Sequence, residues 1–159
     1  MRVAVTGHRD LTPETEDLVR AAMEGLLTPH GTAVVGISCL APGADQIFAE
    51  TVLSLGGRLE AILPVRGYGS VLPSEERERF EGLLDQADPV RCLTHDAPTP
   101  AVYAAANEVM LASADVLVAV WDGGPARGPG GTAEVVDAAL RRAIPVKILW
   151  PDGATRAGD

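Results

Sequence analysis

The chain has 159 residues, 47% of them hydrophobic but only 4% aromatic, and carries 13 Lys and Arg against 22 Asp and Glu, a net charge of −9. That length suits one domain with a substantial core, built here from Ala, Val and Leu. The acidic balance, with a pI near 4.7, excludes an extended surface for a phosphate backbone, which needs a basic stripe; nucleic acid is therefore not an expected partner, although one small basic pocket in an acidic shell stays open.

In chain order, a first apolar strand is predicted at Arg2–Thr6, followed at once by Gly7, His8, Arg9 and Asp10. Thr12-Pro13 then opens a helix to Leu27, with proline at its first position. A second strand over Ala33–Ile37 runs into Ser38 and Cys39, and Pro42-Gly43 precedes a helix over Ala44–Leu55 that Gly56-Gly57 stops. A third strand, Arg58–Leu63, leads through Pro64 to a helix over Ser74–Gln86. Its Arg77 and Arg79 belong to a Glu/Arg-rich face and are expected in solvent. A fourth strand at Pro89–Leu93 and a helix at Ala101–Ala112 follow, then strand Val116–Trp121, helix Thr132–Arg142 and strand Pro145–Trp150. Short apolar strands alternating with helices predict an α/β, three-layer, Rossmann-like doubly wound sheet of about six mostly parallel strands. Residues 1–152 are expected to form this single domain and residues 153–159 a flexible tail.

Cys39 and Cys92 match no metal-ligand or redox spacing and read as buried free thiols. No metal site and no firm cofactor is indicated. No apolar run reaches membrane-spanning length and no leader pattern precedes the first strand, so a cytoplasmic protein without a membrane partner is expected.

The stretch Ser113–Trp150 carries the most information. Its strand ends abruptly at Asp122-Gly123-Gly124, and Gly130-Gly131-Thr132 opens the next helix. Glycines let the backbone approach a ligand, and the first helical N–H groups point at negative charge. Ligands in parallel sheets bind beyond the carboxyl ends of the strands, which gathers the candidates: Gly7, His8, Arg9, Ser38, Gly43, Ala44, Asp45, Asp122, Gly123, Gly130, Gly131 and Thr132. Arg9 is placed to fork onto a phosphate. Asp45 suits either the helix dipole or a ribose hydroxyl, Asp122 either a turn or a sugar contact. His8 reads as structural more readily than catalytic. Thr132 suits an N-cap or a phosphate equally well.

The segments Val3–Leu11 (V-A-V-T-G-H-R-D-L), Gly36–Asp45 (G-I-S-C-L-A-P-G-A-D), Ala114–Gly123 (A-D-V-L-V-A-V-W-D-G) and Gly128–Val136 (G-P-G-G-T-A-E-V-V) together resemble the SLOG superfamily. That Rossmann-like group contains the lonely-guy phosphoribohydrolases, the proteins misnamed lysine decarboxylases, YpsA-like proteins and the core of DNA-processing protein A. The resemblance is to its small stand-alone bacterial members. It implies a nucleotide or nucleotide-derived ligand, such as a ribose phosphate or an NAD derivative, held by a sensor or binding module. The alternative is phosphoribohydrolase activity on nucleoside 5′-monophosphates, with Glu134 as the catalytic carboxylate. Counted from Thr132, however, the lonely-guy glutamate position holds Val135, and the helix Ala101–Ala112, where those enzymes carry an arginine, has none. The broad apolar surface of that helix and of Val135–Leu140 predicts a two-fold homodimer, as the resemblance also does.

Overall fold

A computed structural model describes residues 1–93, 97, 99–127 and 131–158. Among them the elements run β1 (Arg2–Gly7), α1 (Pro13–Leu27), β2 (Val35–Ser38), α2 (Ala44–Ser54), β3 (Arg58–Leu63), α3 (Ser74–Gln86), β4 (Val90–Cys92), α4 (Pro100–Ala112), β5 (Val116–Val120), α5 (Thr132–Arg141) and β6 (Val146–Ile148). Short 3-10 turns occupy Thr28–Ala33 and Tyr68–Val71. The first of these delays β2 past the expected Ala33, because the chain winds on beyond α1, with the Thr28 hydroxyl donating to the Glu24 carbonyl at 2.6 Å.

The six strands form one sheet in the order β4-β3-β2-β1-β5-β6, and every pairing is parallel. Alternate residues point to opposite faces, and the sequence uses both. Val3, Val5, Val118 and Val120 pack with Val19 and Met23 of α1 and with Phe48 and Val52 of α2. Ala4, Leu117 and Ala119 point the other way, against Met110 of α4 and Val135, Val136 and Ala139 of α5. Toward the β4 edge of the sheet, Leu59, Ala61 and Leu63 of β3 join Phe80 and Leu83 of α3. Two helical layers around a parallel sheet give the three-layer α/β architecture. Most of the apolar surface on α4 and α5 that suggested a dimer is spent here, on the sheet; Leu140 stays 61% exposed.

Three expectations are corrected. Residues 153–158 dock instead of fraying: Leu11 and Arg156 form an antiparallel bridge, the Thr155 N–H donates to Thr15 Oγ1 at 2.8 Å, and Arg156 is only 6% exposed. Cys92 is exposed, since β4 is a short edge strand, and Cys39 is half-buried. Arg79 is no free surface charge: it pairs through Nε with Glu50 Oε1 at 2.5 Å, while Arg77 donates to the Ser70 and Leu72 carbonyls.

Candidate functional site

The chain order leaves β1, proceeds outward through β2, β3 and β4, then returns to the opposite side of β1 with β5 and β6. The connections after β1 and β5 therefore diverge to opposite faces. Such a switch point opens a crevice at the carboxyl ends of the strands. A cleft of about 390 Å³ lies there, lined by Gly7, His8, Arg9, Asp10, Tyr103, Ala126, Arg127, Gly131, Thr132 and Arg156.

Close backbone approach makes the floor. A side chain at Gly7 would meet the Ala44 Cβ at 2.4 Å, and one at Gly43, where φ is +84°, would meet the His8 carbonyl oxygen at 2.5 Å. The loop after β1 and the start of α2 are thus pressed together, with the Ala44 N–H donating to the His8 carbonyl at 3.2 Å. Gly43 and Ala44 act through this packing and do not line the cleft. Ser38 is fully buried and accepts the Leu40 N–H at 3.0 Å, shaping the turn after β2.

His8 is 5% exposed, and its ring stands edge-on to Trp150 with centroids 5.5 Å apart. Its Nε2 lies 3.1 Å from both the backbone N and Oδ1 of Asp122. Burial, with Arg156 nearby, holds the imidazole below its ordinary pKa and so favours the neutral ring. His8 is a strut between the β1 and β5 loops. Asp122 is occupied there as well, accepting the Gly124 N–H at 2.8 Å, and neither it nor Gly123 lines the cleft.

Three arginines do. Arg9 is exposed, and its one hydrogen bond among the described residues runs from Nη2 to the Tyr68 hydroxyl at 3.3 Å. Arg127 Nη1 meets Asp10 Oδ2 at 2.7 Å and Arg156 Nη2 meets Asp10 Oδ1 at 3.0 Å. Burial alone would raise the Asp10 carboxyl; the two arginines outweigh it and hold the group below the usual carboxylate range. Sequence reasoning missed Arg127 and Arg156 as site residues. The first sits inside a Gly/Pro-rich loop and the second in what looked like a tail, and only the docking of residues 153–158 brings it to the cleft.

The start of α5 removes the N-cap role from Thr132. Gly131 occupies the N-cap position and no side-chain cap hydrogen bond is made. Thr132 is the first helical residue, 5% exposed, on the cleft wall. The Glu134 and Val135 N–H groups return to the Gly131 carbonyl, which leaves the N–H groups of Thr132 and Ala133 without an intrahelical acceptor. Glu134 is exposed and absent from the lining, and Val135 is buried in the core. Gly130 lies outside the described residues. Asp45 is 8% exposed and borders a smaller adjoining pocket, where it accepts the Ala41 N–H at 3.3 Å. Burial pushes its carboxyl up to about 7 despite the opposing pull of Arg9 and the Ala41 N–H. Among the described residues no three His, Cys, Asp or Glu cluster as metal ligands, and no helix is long and apolar enough to cross a membrane.

No family model matches the sequence, and no curated protein matches it. Solved structures do. DNA processing protein A from Helicobacter pylori, described for its single-stranded DNA binding mode, aligns at TM-score 0.70 and 19% identity over 99% of this chain and 69% of that one. DNA processing protein A from Streptococcus pneumoniae aligns at TM-score 0.69 and 17% identity, over 96% of this chain and 51% of its own. The chain shares the Rossmann-like fold of these structures. A molybdenum cofactor binding protein from Rippkaea orientalis shares it at TM-score 0.59 and 19% identity, over 95% of this chain and 77% of that one. Proteins of different binding function thus share this Rossmann-like scaffold, and what occupies the cleft must be argued from its own side chains.

Proposed function

We propose that the cleft binds a phosphate-bearing small molecule of the nucleotide class: a nucleotide, an NAD-derived species or a ribose phosphate. The observation that carries this reading is the charge of the lining, three arginines against one aspartate, on a chain of net charge −9. Such an inversion of sign concentrates anions at one place. The open N–H groups at the start of α5 add donors suited to phosphate oxygens, and about 390 Å³ is within the range of small-ligand pockets. That the molybdenum cofactor binding protein shares the fold supports a binding module. Titration calorimetry with inorganic phosphate, AMP and ADP-ribose tests the reading. Dissociation constants below millimolar are expected, and no heat from any of the three would overturn it.

The second reading is phosphoribohydrolase activity with Glu134 as the carboxylate, favoured by the motif around Gly131-Thr132. Against it stands the exposure of Glu134 outside the cleft lining, because a group that activates water must reach the reacting centre. Adenine release from AMP that Glu134→Gln abolishes would establish hydrolysis. Turnover at the buffer rate with binding intact would leave binding alone. A homodimer and a cytoplasmic location belong to the same proposal. Leu140 and Ile148, each 61% exposed, are the apolar remainder a second copy would cover, and a scattering mass near the 16.5 kDa of one chain would overturn the dimer.

A further inference from the structure

Arg9 and Tyr103 face two spaces at once. Beside the main cleft they border a second pocket of about 50 Å³, reached from the end of β1 and closed by the loop after β2, the turn at Tyr68 and α4. Its polar groups arrive from separate segments: Asp45 from the first turn of α2, Tyr68 from its 3-10 turn, Asn107 from α4. Much of the remaining wall is apolar, including Val5 and Pro64.

Asp45 is out of place in such a wall. It is 8% exposed, and its carboxylate accepts one hydrogen bond among the described residues, from the Ala41 N–H. Tyr68, also buried, accepts from Arg9, and its own proton has no acceptor among them. Each keeps one partner, and among the described residues no buried side-chain nitrogen or oxygen is without one. A carboxylate and a phenol that share one small pocket nevertheless have acceptor and donor capacity left over for a partner from outside the chain.

We propose that this pocket is a second subsite of the ligand site and takes a hydroxyl-bearing sugar edge, with Asp45 accepting from the hydroxyl. The inference rests on the phosphate reading of the cleft. Size supports it: a water needs roughly 10–15 Å³ of such space, so the pocket holds a few heavy atoms and excludes a nucleobase. Charge supports it too. A second anion would be repelled by Asp45, and an apolar group would strip water from Asp45 and Tyr68 without replacing it. A hydroxyl donates to the first and accepts from the second or from the Asn107 amide. Because Arg9 borders both spaces, a phosphate on Arg9 and a hydroxyl on Asp45 fall within one molecule.

The probes are AMP, 2′,3′-dideoxy-AMP and inorganic phosphate, measured by calorimetry on the full chain, on Asp45→Asn and on Asn107→Ala. The unmodified chain is expected to bind AMP about tenfold tighter than the dideoxy compound, the size of one charge-assisted hydrogen bond. Asp45→Asn should cut that ratio to about twofold and Asn107→Ala should reduce it less, with phosphate binding retained in both. The ratio should also grow as pH rises through about 7, the value to which burial pushes Asp45. The groups facing Asp45 are Arg9, Cys39, Tyr68 and Tyr103; burial raises both the Cys39 thiol and the Tyr68 phenol away from that window. Equal binding of AMP and dideoxy-AMP by a chain that still binds phosphate overturns the subsite alone, as does a ratio that neither variant moves. A chain that binds neither phosphate nor AMP overturns the phosphate reading and the subsite with it. Should Asp45→Asn fail to fold, the ratio in the unmodified chain and in Asn107→Ala, a half-buried position on α4, decides.

Discussion

At the scale of single residues, Arg9 and Asp45 divide the burden of the site differently. Arg9 contributes little to folding, since the residue is exposed and its guanidinium donates only to Tyr68 among the described residues. Arg9→Ala should therefore leave the melting temperature nearly unchanged and weaken phosphate binding by about 1.5–3 kcal/mol, the range for a charged hydrogen bond, read by calorimetry. An unchanged affinity would remove Arg9 from the site. Asp45 acts on stability. Its carboxyl titrates near 3.9 in an unfolded chain and is pushed up to about 7 by burial. The folded state thus holds a proton that the unfolded state releases, so this group's contribution is complete below about pH 4 and is lost as pH rises through about 7. Asp45→Asn removes the cost while keeping an acceptor for the Ala41 N–H. It should stabilise the chain by roughly 2–4 kcal/mol at pH 8, at about 1.4 kcal/mol per pKa unit, and leave it unchanged at pH 4. Thermal melts at the two pH values check this, and equal shifts at both would contradict it. A residue that destabilises the fold at neutral pH while bordering a pocket is consistent with a functional carboxylate.

At the scale of elements, the sequence was most readable where local chemistry decides the outcome. Pro13–Leu27 and Ser74–Gln86 have the predicted bounds, and Thr12 caps α1 through the Thr15 N–H, ahead of a proline at the first helical position. Thr132 could not be settled that way. Whether it serves as the N-cap depends on the course of the glycine loop before it, which side-chain pattern does not specify. The end of the chain was misread for a related reason. Residues 153–158 carry no periodic pattern, and what holds them is the distant Asp10. That carboxylate receives Arg156 at 3.0 Å and Arg127 at 2.7 Å, and its backbone carbonyl accepts the Ala157 N–H at 2.5 Å. Arg156→Ala should cost about 1–3 kcal/mol. This is less than the ~3–5 kcal/mol for orphaning a fully buried charge, because Asp10 keeps Arg127. It should also release residues 153–158, seen as fast amide exchange at Thr155 and Ala157. The same release is expected in acid: the Asp10 carboxyl is held below its usual value, so the clamp contributes above the ordinary carboxylate range and is lost as pH falls through that depressed value. Amides at Thr155 and Ala157 that stay protected in Arg156→Ala would show that the bridge at Leu11 suffices.

For the whole molecule, strand order is what makes a site out of scattered loop residues. Alternating apolar and helical segments imply parallel strands with candidates at their carboxyl ends, but not which ends are neighbours. With β1 between β2 and β5, the loops bearing Arg9 and Arg127 face one crevice, while the loop after β2 is drawn beneath it by Gly43 and Asp45. The chain as a whole is acidic, and this bears on what can enter. On the proposed reading a single phosphate group would meet the arginines inside the cleft, whereas a polynucleotide would have to lay its remaining phosphates along a surface of a chain with net charge −9. The two cases separate by salt. For a single strand, log affinity falls with log salt at about 0.7 per phosphate neutralised. A site limited to the cleft arginines should give an oligothymidylate a slope between roughly −0.7 and −1.4, no steeper than AMP gives, and no gain in affinity as the oligomer lengthens beyond a few nucleotides. Fluorescence anisotropy from low to physiological salt measures both. A slope near −3 or steeper, with affinity rising along the length series, would mean that phosphates outside the cleft are bound, and the acidic surface would then have failed as a barrier to nucleic acid.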